Sequence, residues 1–357
     1  MLRSLAVALA LSLAACSTDD DASKEAAPDA STPQPDAIAV ACAPASKLDS
    51  KVRDDLNAAA LEVFGTLRKG DIDAVWDSLH PQAQRDDQRD AFKEALESMH
   101  RRLRSGGEKT ALAHSYVVDV QGGVTALTRV QCGEENDPQR LALLTNAGNE
   151  NVAVVTLLSG GDPFGFATTV QLRRHKGAWK VLGVHVGLAT YRGSDASDYE
   201  SLADAYVSQR RVVEAYLVLG IADKLAQRGG SVRLHRGLDI AEKLDAVTNS
   251  REFQQALGVW EVGGRRYDVQ GFSITATQSD LSFVVEYVTP TGLIKEALES
   301  EADALVGYVN MQYPELAKRF DAVVFEAYDS ESAATKGEVQ AFRTPRVFDG
   351  DDAEFAG

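Results

Sequence analysis

The sequence predicts an α+β protein with two folded regions in series, and three observations carry that expectation. Apolar residues recur at helical spacing from about residue 48 to 104, then change to the alternation of half-buried strands. The same order, helices before strands, returns after a break at Gly193-Ser194-Asp195. The length of 357 residues allows about two domains, and 44% hydrophobic with 25% charged residues fits an ordinary globular chain.

Taken in order, Val52, Leu56, Ala59, Val63 and Leu67 mark a first helix, with Asp49 or Ser50 as its cap and Gly70 as its stop. Asp71 caps a short second helix carrying Ile72, Val75, Trp76 and Leu79, closed by Pro81. A third follows Asp86-Asp87 with Phe92, Leu96, Met99 and Leu103. Arg101, Arg102 and Arg104 sit in its last turn, where the helix dipole favours cations, and Gly106-Gly107 ends it. Strands are expected at 116–120 and 124–130 across Gln121-Gly122-Gly123, then at 152–158. A hairpin of 166–174 and 178–186 turns at Lys176-Gly177.

Helices followed by a meandering antiparallel sheet suit a cone-shaped fold. The stretch Leu67-Arg68-Lys69-Gly70-Asp71-Ile72-Asp73 ahead of Trp76 and Leu79, and the hairpin from Val170 to Val181 around Trp179, resemble small periplasmic NTF2-like domains. The resemblance covers about residues 47–190. It implies helices packed on one face of a curved sheet around a pocket, with Trp179 in the core.

The second region, 193–345, is expected to open with one long helix at 198–228, ended by Gly229-Gly230. Short helices at 238–244 and 253–257, strands at 267–277 and 281–289, a helix at 293–311 and a last strand at 321–325 complete a second α+β unit of no recognised family. Glu299, Glu301 and Asp303 read as the solvated face of that last helix. The tail 346–357 is acidic.

Ahead of the folded part stands Arg3, an apolar run from Leu5 to Leu13, and Leu13-Ala14-Ala15-Cys16. The run is shorter than the ~20 apolar residues that span a bilayer. Its length and basic flank fit a secretory signal peptide over 1–15. Leu-Ala-Ala-Cys directly after it resembles the lipobox of bacterial lipoproteins. That resemblance implies cleavage before Cys16, lipidation of its thiol and acylation of the new amino terminus. Ser17, where such proteins retained on the inner membrane usually carry Asp, implies the outer membrane facing the periplasm. Residues 16–46, rich in Asp, Ala, Ser, Thr and Pro, read as a disordered tether.

With Cys16 lipidated, Cys42 and Cys132 remain. In an oxidising compartment they are expected to pair, the alternative being two free thiols. A net charge of −16 argues against nucleic acid, which needs clustered cations on phosphates. Membrane attachment must come from the lipid. No motif for metal binding, nucleotide binding or a nucleophile elbow occurs, so no metal, cofactor or catalytic residue is assigned. Tyr116, His114 and His185 are the candidates to line the cone. Asp119 alternates to the other side of its strand from Tyr116, which weakens an acid–base pairing. Arg210-Arg211 and Arg265-Arg266 are basic pairs able to grip an anionic ligand or partner, or to be solvated. The expectation is a tethered, non-catalytic binding or interaction module of the envelope, holding a protein or a small apolar ligand. A pocket hydrolase or isomerase, and a purely structural lipoprotein, are the alternatives.

Overall fold

Three helices, α1 (Ser50–Lys69), α2 (Ile72–Asp77) and α3 (Arg89–Ser105), form one layer of the first region. The computed structural model describes residues 40–105, 109–120, 128–145, 152–161, 163–276, 280–329 and 341–348. The expected signal peptide over 1–15, Cys16, most of the expected tether, Gly106-Gly107, the turn expected at Gln121-Gly122-Gly123 and the tail from Asp349 lie outside those residues. The fold is mixed α+β, with two open five-stranded sheets and one of three strands among the described residues.

The helix boundaries follow their local chemistry. Asp49 caps α1 by accepting from the Lys51 amide, and Gly70 closes it in the left-handed conformation, φ 81°, which glycine adopts at no steric cost. Asp71 then caps α2 by accepting from Ala74.

Seven strands follow the chain: β1 (Val40–Pro44), β2 (Thr110–Val120), β3 (Thr128–Cys132), β4 (Leu141–Thr145), β5 (Val152–Gly160), β6 (Phe164–His175) and β7 (Ala178–Tyr191). The first large sheet runs β1-β2-β5-β6-β7, antiparallel throughout. The β6–β7 hairpin turns at Lys176-Gly177, both at positive φ, which matches the twist of its strands. Two expectations need correction. Residues 40–46, assigned to the tether, form β1 and the start of a 3-10 turn, because β1 pairs with β2 and Cys42 is bonded to Cys132. The neighbour of β2 is β5. β3, at the end of the expected 124–130 strand, pairs with β4 instead.

One face of this sheet is set by Ser115, Val155 and Val170, which stand in one row by register. The Ser115 hydroxyl donates to Asn57 Oδ1 of α1, so this is the helix-covered face. Leu56, Ala60, Val63 and Leu67 of α1 pack into the core there.

The expected helix at 198–228 is two helices, α4 (Ala196–Ser208) and α5 (Val212–Ala226). The chain turns between them at Arg210, which takes a left-handed φ of 61°, while the Arg211 guanidinium lies over the Tyr206 ring. The apolar stripe continues through this corner and no glycine or proline marks it, so the break was invisible in the periodicity. Next come β8 (Val232–Leu234), α6 (Arg236–Thr248), α7 (Arg251–Ala256), β9 (Gly258–Val262), β10 (Arg265–Ala276), β11 (Leu281–Val288), α8 (Lys295–Gln312), β12 (Ala322–Tyr328) and β13 (Phe342–Val347). Their sheet runs β13-β12-β11-β10-β9, with α8 as the crossover between parallel β11 and β12. β9 and β13, both edge strands, were not expected.

The two regions interlock. β8 pairs with β4, completing the three-stranded sheet. Asp321 accepts from the Tyr191 hydroxyl, from Arg192 and from the Leu281 amide, tying the end of β7 to the second sheet.

Candidate functional site

His114, Thr156, Thr169 and His185 form one row across β2, β5, β6 and β7. Tyr116 follows His114 on the same face, its ring stacked at 5.9 Å. Structure therefore brings the three candidate residues onto one face, but it is the face opposite Ser115, away from α1. With strands ~4.8 Å apart, the backbones of His114 and His185 are separated by about 14 Å. The alternation that placed Tyr116 was legible in the sequence. Which face the helices cover was not.

A short segment after α5 closes over this face. Gln171, in the row after Thr169, donates from Nε2 to Ser231 Oγ at 2.9 Å. A Cβ at Gly229 would lie 3.4 Å from the His185 Cβ. Arg228 is only 2% exposed. Its Nη1 donates to the carbonyls of Leu225 and Gln227 at the end of α5 and to Leu188 of β7. The Leu225 and Gln227 carbonyls are the negative end of the helix dipole, which favours a cation there, and the Asp195 charge favours it too. Burial lowers the Arg228 pKa to about 10, so the group stays charged at neutral pH.

The same burial governs the imidazoles. His185 is lowered to about 4, first by burial and then by the positive charges of Arg102 and Arg228. His114 is lowered by burial too. Tyr116 is raised by burial, with Asp137 and Glu134 adding to it. Both rings are thus neutral at ambient pH, each able to donate from one nitrogen and accept at the other. His114 Nε2, Thr156 Oγ1, Thr169 Oγ1 and Arg228 Nε are buried without a hydrogen-bond partner among the described residues. The arrangement offers donors and acceptors in a row rather than two groups converging on one reacting atom.

Sequence reasoning missed Thr156, Thr169 and Arg228. A basic residue before Gly229-Gly230 reads as a solvated helix end, and only the docking of that end on β7 buries it. The reading of Glu301 as solvated is overturned: it is 0% exposed. Its position three residues after buried Leu298 and four before buried Leu305 puts it in the apolar stripe, a signal present in the spacing. Glu299 and Asp303 are held by Arg346. Of the basic pairs, Arg211 is bound by Glu214, and Arg266 reaches Glu261 at 3.8 Å.

Two concavities lie elsewhere. A crevice of about 190 Å³ between α1–α2 and β6–β7 is lined by Glu62, Thr66, Ser78, Leu172 and Trp179. A groove of about 510 Å³ is lined by Arg210, Arg211, Glu214, Ala256, Met311 and Tyr313. No cluster of three or more His, Cys, Asp or Glu at metal-binding range occurs among the described residues, and no helix among them is long and apolar enough to cross a membrane. No protein family, curated protein or solved structure matches this chain.

Proposed function

We propose that this chain is a lipid-anchored envelope protein, held by Cys16 to the outer membrane and facing the periplasm, whose folded part binds a partner protein or a small molecule without transforming it. The lipobox supports the anchor. The Cys42–Cys132 pair, with an S–S distance of 2.02 Å and Cα atoms 5.3 Å apart, is compatible with an oxidising compartment. Three helices on one face of an antiparallel sheet favour an NTF2-like cone for the first region. Register shifts at Leu112/His114, Gly165/Phe166 and Gln171/Leu172 favour it too, since bulges bend strands. The crevice between α1–α2 and the sheet is then the space that cone leaves.

The observation that separates binding from catalysis is the row itself. Its two imidazoles are neutral, about 14 Å apart by strand spacing, and neither is hydrogen-bonded to a carboxylate among the described residues. General acid–base work needs groups within hydrogen-bond reach of one proton. The row is closed over and buried, so recognition falls to the open crevice beside Trp179 and the groove beside Ala256.

The test uses the whole chain expressed with export in a two-membrane bacterium, beside its Cys16→Ala variant. The native chain is expected to take up labelled palmitate and fractionate with the outer membrane, and the variant to do neither. Equal labelling of both removes the anchor. Native mass spectrometry of the exported variant, with crosslinking in cells, is expected to show a retained small molecule or a crosslinked protein. A bare chain with no crosslink removes the binding reading, and turnover of a retained molecule replaces it with the enzyme.

A further inference from the structure

We propose that the outer edge of β9 is a docking strand for an extended, acid-ended segment of a partner protein. The inference rests on the reading that the chain holds a protein partner, and it names the surface and the chemistry.

Unpaired strand edges are templates for further strands, and folded proteins blunt the edges they do not use. Three of the four outer edges of the large sheets are blunted. The β1 edge ends in Pro44 and is bridged through Cys42. On β7, the carbonyls of Val186 and Leu188 accept from Arg102 and Arg228. The β13 edge carries Pro345, which has no amide to offer, and Arg346 is drawn back to Glu299 and Asp303.

β9 has none of these devices. It reads Gly-Val-Trp-Glu-Val, without proline or lysine, and pairs with β10 alone among the described residues. It is also held rigidly. Trp260 is buried, its Nε1 donates to the Ala256 carbonyl at 3.0 Å, and its ring packs on Tyr308 at 4.8 Å. Val259 beside it is 51% exposed. Addition of an extended segment to such an edge is a known recognition mode: backbone hydrogen bonds give affinity and the flanks give specificity.

The flanks indicate the partner's charge. In a chain of net charge −16, both ends of β9 are basic. At one end, Arg265 and Arg266 pair with Val262 and Glu261 across the hairpin, and the Arg266 side chain is 73% exposed. At the other, the groove beside Ala256 carries Arg210, Arg211 and exposed Met311. Arg211 is matched by Glu214, whereas Arg210 makes no ion pair among the described residues. Four acids face the site: Glu214 is taken by Arg211, Glu315 in the groove by Lys318, Glu261 near the hairpin end lies against Arg266, and exposed Asp268 stands across from Val259. A second copy of this chain is the wrong occupant. Antiparallel β9–β9 pairing would set each copy's Arg265-Arg266 end beside the other's Arg210-Arg211 end, and like charges repel. A strand with an acid at each end meets attraction at both.

The test takes the full chain with Cys16→Ala, kept soluble, and two end-blocked fluorescent heptapeptides, Asp-Thr-Val-Thr-Val-Thr-Asp and its lysine-ended counterpart. At ~3.3 Å per residue they span β9 and both basic ends. Fluorescence anisotropy is expected to show the acid-ended peptide binding about tenfold or more tightly than the lysine-ended one, and more weakly as salt rises. Val259→Asp on the edge, and Arg210→Glu and Arg266→Glu at its ends, are each expected to weaken it several-fold with unchanged thermal midpoints. If Val259→Asp perturbs folding, the two exposed arginine variants decide. Equal binding of both peptides, no binding, or indifference to these substitutions overturns the proposal. So does a dimer in sedimentation that Val259→Asp dissolves. Peptide binding that survives while cells yield no crosslinked partner removes the wider reading and leaves the edge; crosslinks that survive all three substitutions remove the edge alone.

Discussion

Glu301 on α8 and the Thr156–Thr169 row on the first sheet are both fully buried polar clusters, and they are built in opposite ways. The Glu301 carboxyl accepts from the Tyr287 hydroxyl at 3.0 Å, from Thr289 Oγ1 at 3.1 Å and from Thr291 Oγ1 at 2.6 Å. Burial, with the nearby Glu301 adding to it, drives the Tyr287 pKa far upward, so the phenol stays a donor. In the first sheet, Thr156 and Thr169 are each 1% exposed and their hydroxyls meet no partner among the described residues. A closed cluster braces its fold. A cluster with unused hydrogen-bonding capacity lowers stability where it stands. The two regions also differ in how they are fastened, since the first is bridged by Cys42–Cys132 across 90 residues and the second holds no cysteine.

The largest effect should come from that bridge. Closing a loop of this length removes about 4.5 kcal/mol of unfolded-chain entropy by the usual estimate, so Cys132→Ala should lower the urea-unfolding free energy by several kcal/mol. A loss below about 1 kcal/mol would mean β1 is held by its pairing to β2 alone. Next comes Glu301→Ala, which strands three hydroxyls and leaves a void. It should cost about 3 kcal/mol, and the melting midpoint should fall by roughly 6–12 °C. An unchanged midpoint would show that water takes the carboxylate's place and that the cluster is no brace.

The sharpest contrast uses one substitution in both regions. Thr289→Val removes a donor from a buried carboxylate and should destabilise by about 1.5–3 kcal/mol. Thr156→Val or Thr169→Val replaces an unpaired hydroxyl with a methyl of the same shape, and should be neutral or stabilising by up to ~1 kcal/mol. Chemical denaturation of the three variants checks the signs. Destabilisation of about 1 kcal/mol or more by Thr156→Val would show that its hydroxyl is satisfied in solution and would erase the difference between the clusters.

The comparison also explains what the sequence made legible. Elements governed by adjacent residues were readable: Asp49 and Gly70 on α1, Asp71 on α2, the Lys176-Gly177 hairpin. The Cys42–Cys132 pairing followed from counting thiols in an expected compartment. Features that depend on which distant strand becomes a neighbour were not. β3 left β2 for β4, β8 crossed to the first region, and Pro345 sits in a strand because that strand is an edge. For the candidate site, alternation set Tyr116 opposite Asp119, whereas His114 stood outside the expected strand at 116–120. Only the register across β5, β6 and β7 joins His114 and Tyr116 to His185, and only the docking of the α5 end supplies Arg228. Glu301 was misread for the opposite reason: the spacing put it in the stripe, but its charge was given more weight than its position.

The smallest effect separates the regions by pH. A base whose folded pKa lies below its unfolded one binds fewer protons when folded, so acid favours the unfolded chain. For His185 the values are about 4 against 6.5, so stability should begin to fall as pH drops below about 6.5 and stop falling on this account near 4. Between pH 7 and 5.5 the loss should be roughly 1 kcal/mol, with the lowered His114 adding in the same direction. His185→Gln should flatten most of that slope when unfolding free energy is measured at several pH values at constant salt. If His185→Gln leaves the slope intact, the ring is protonated in the folded chain at mild acid. It would then stand between Arg102 and Arg228 as a third positive charge, and the row would attract anions instead of offering neutral donors and acceptors.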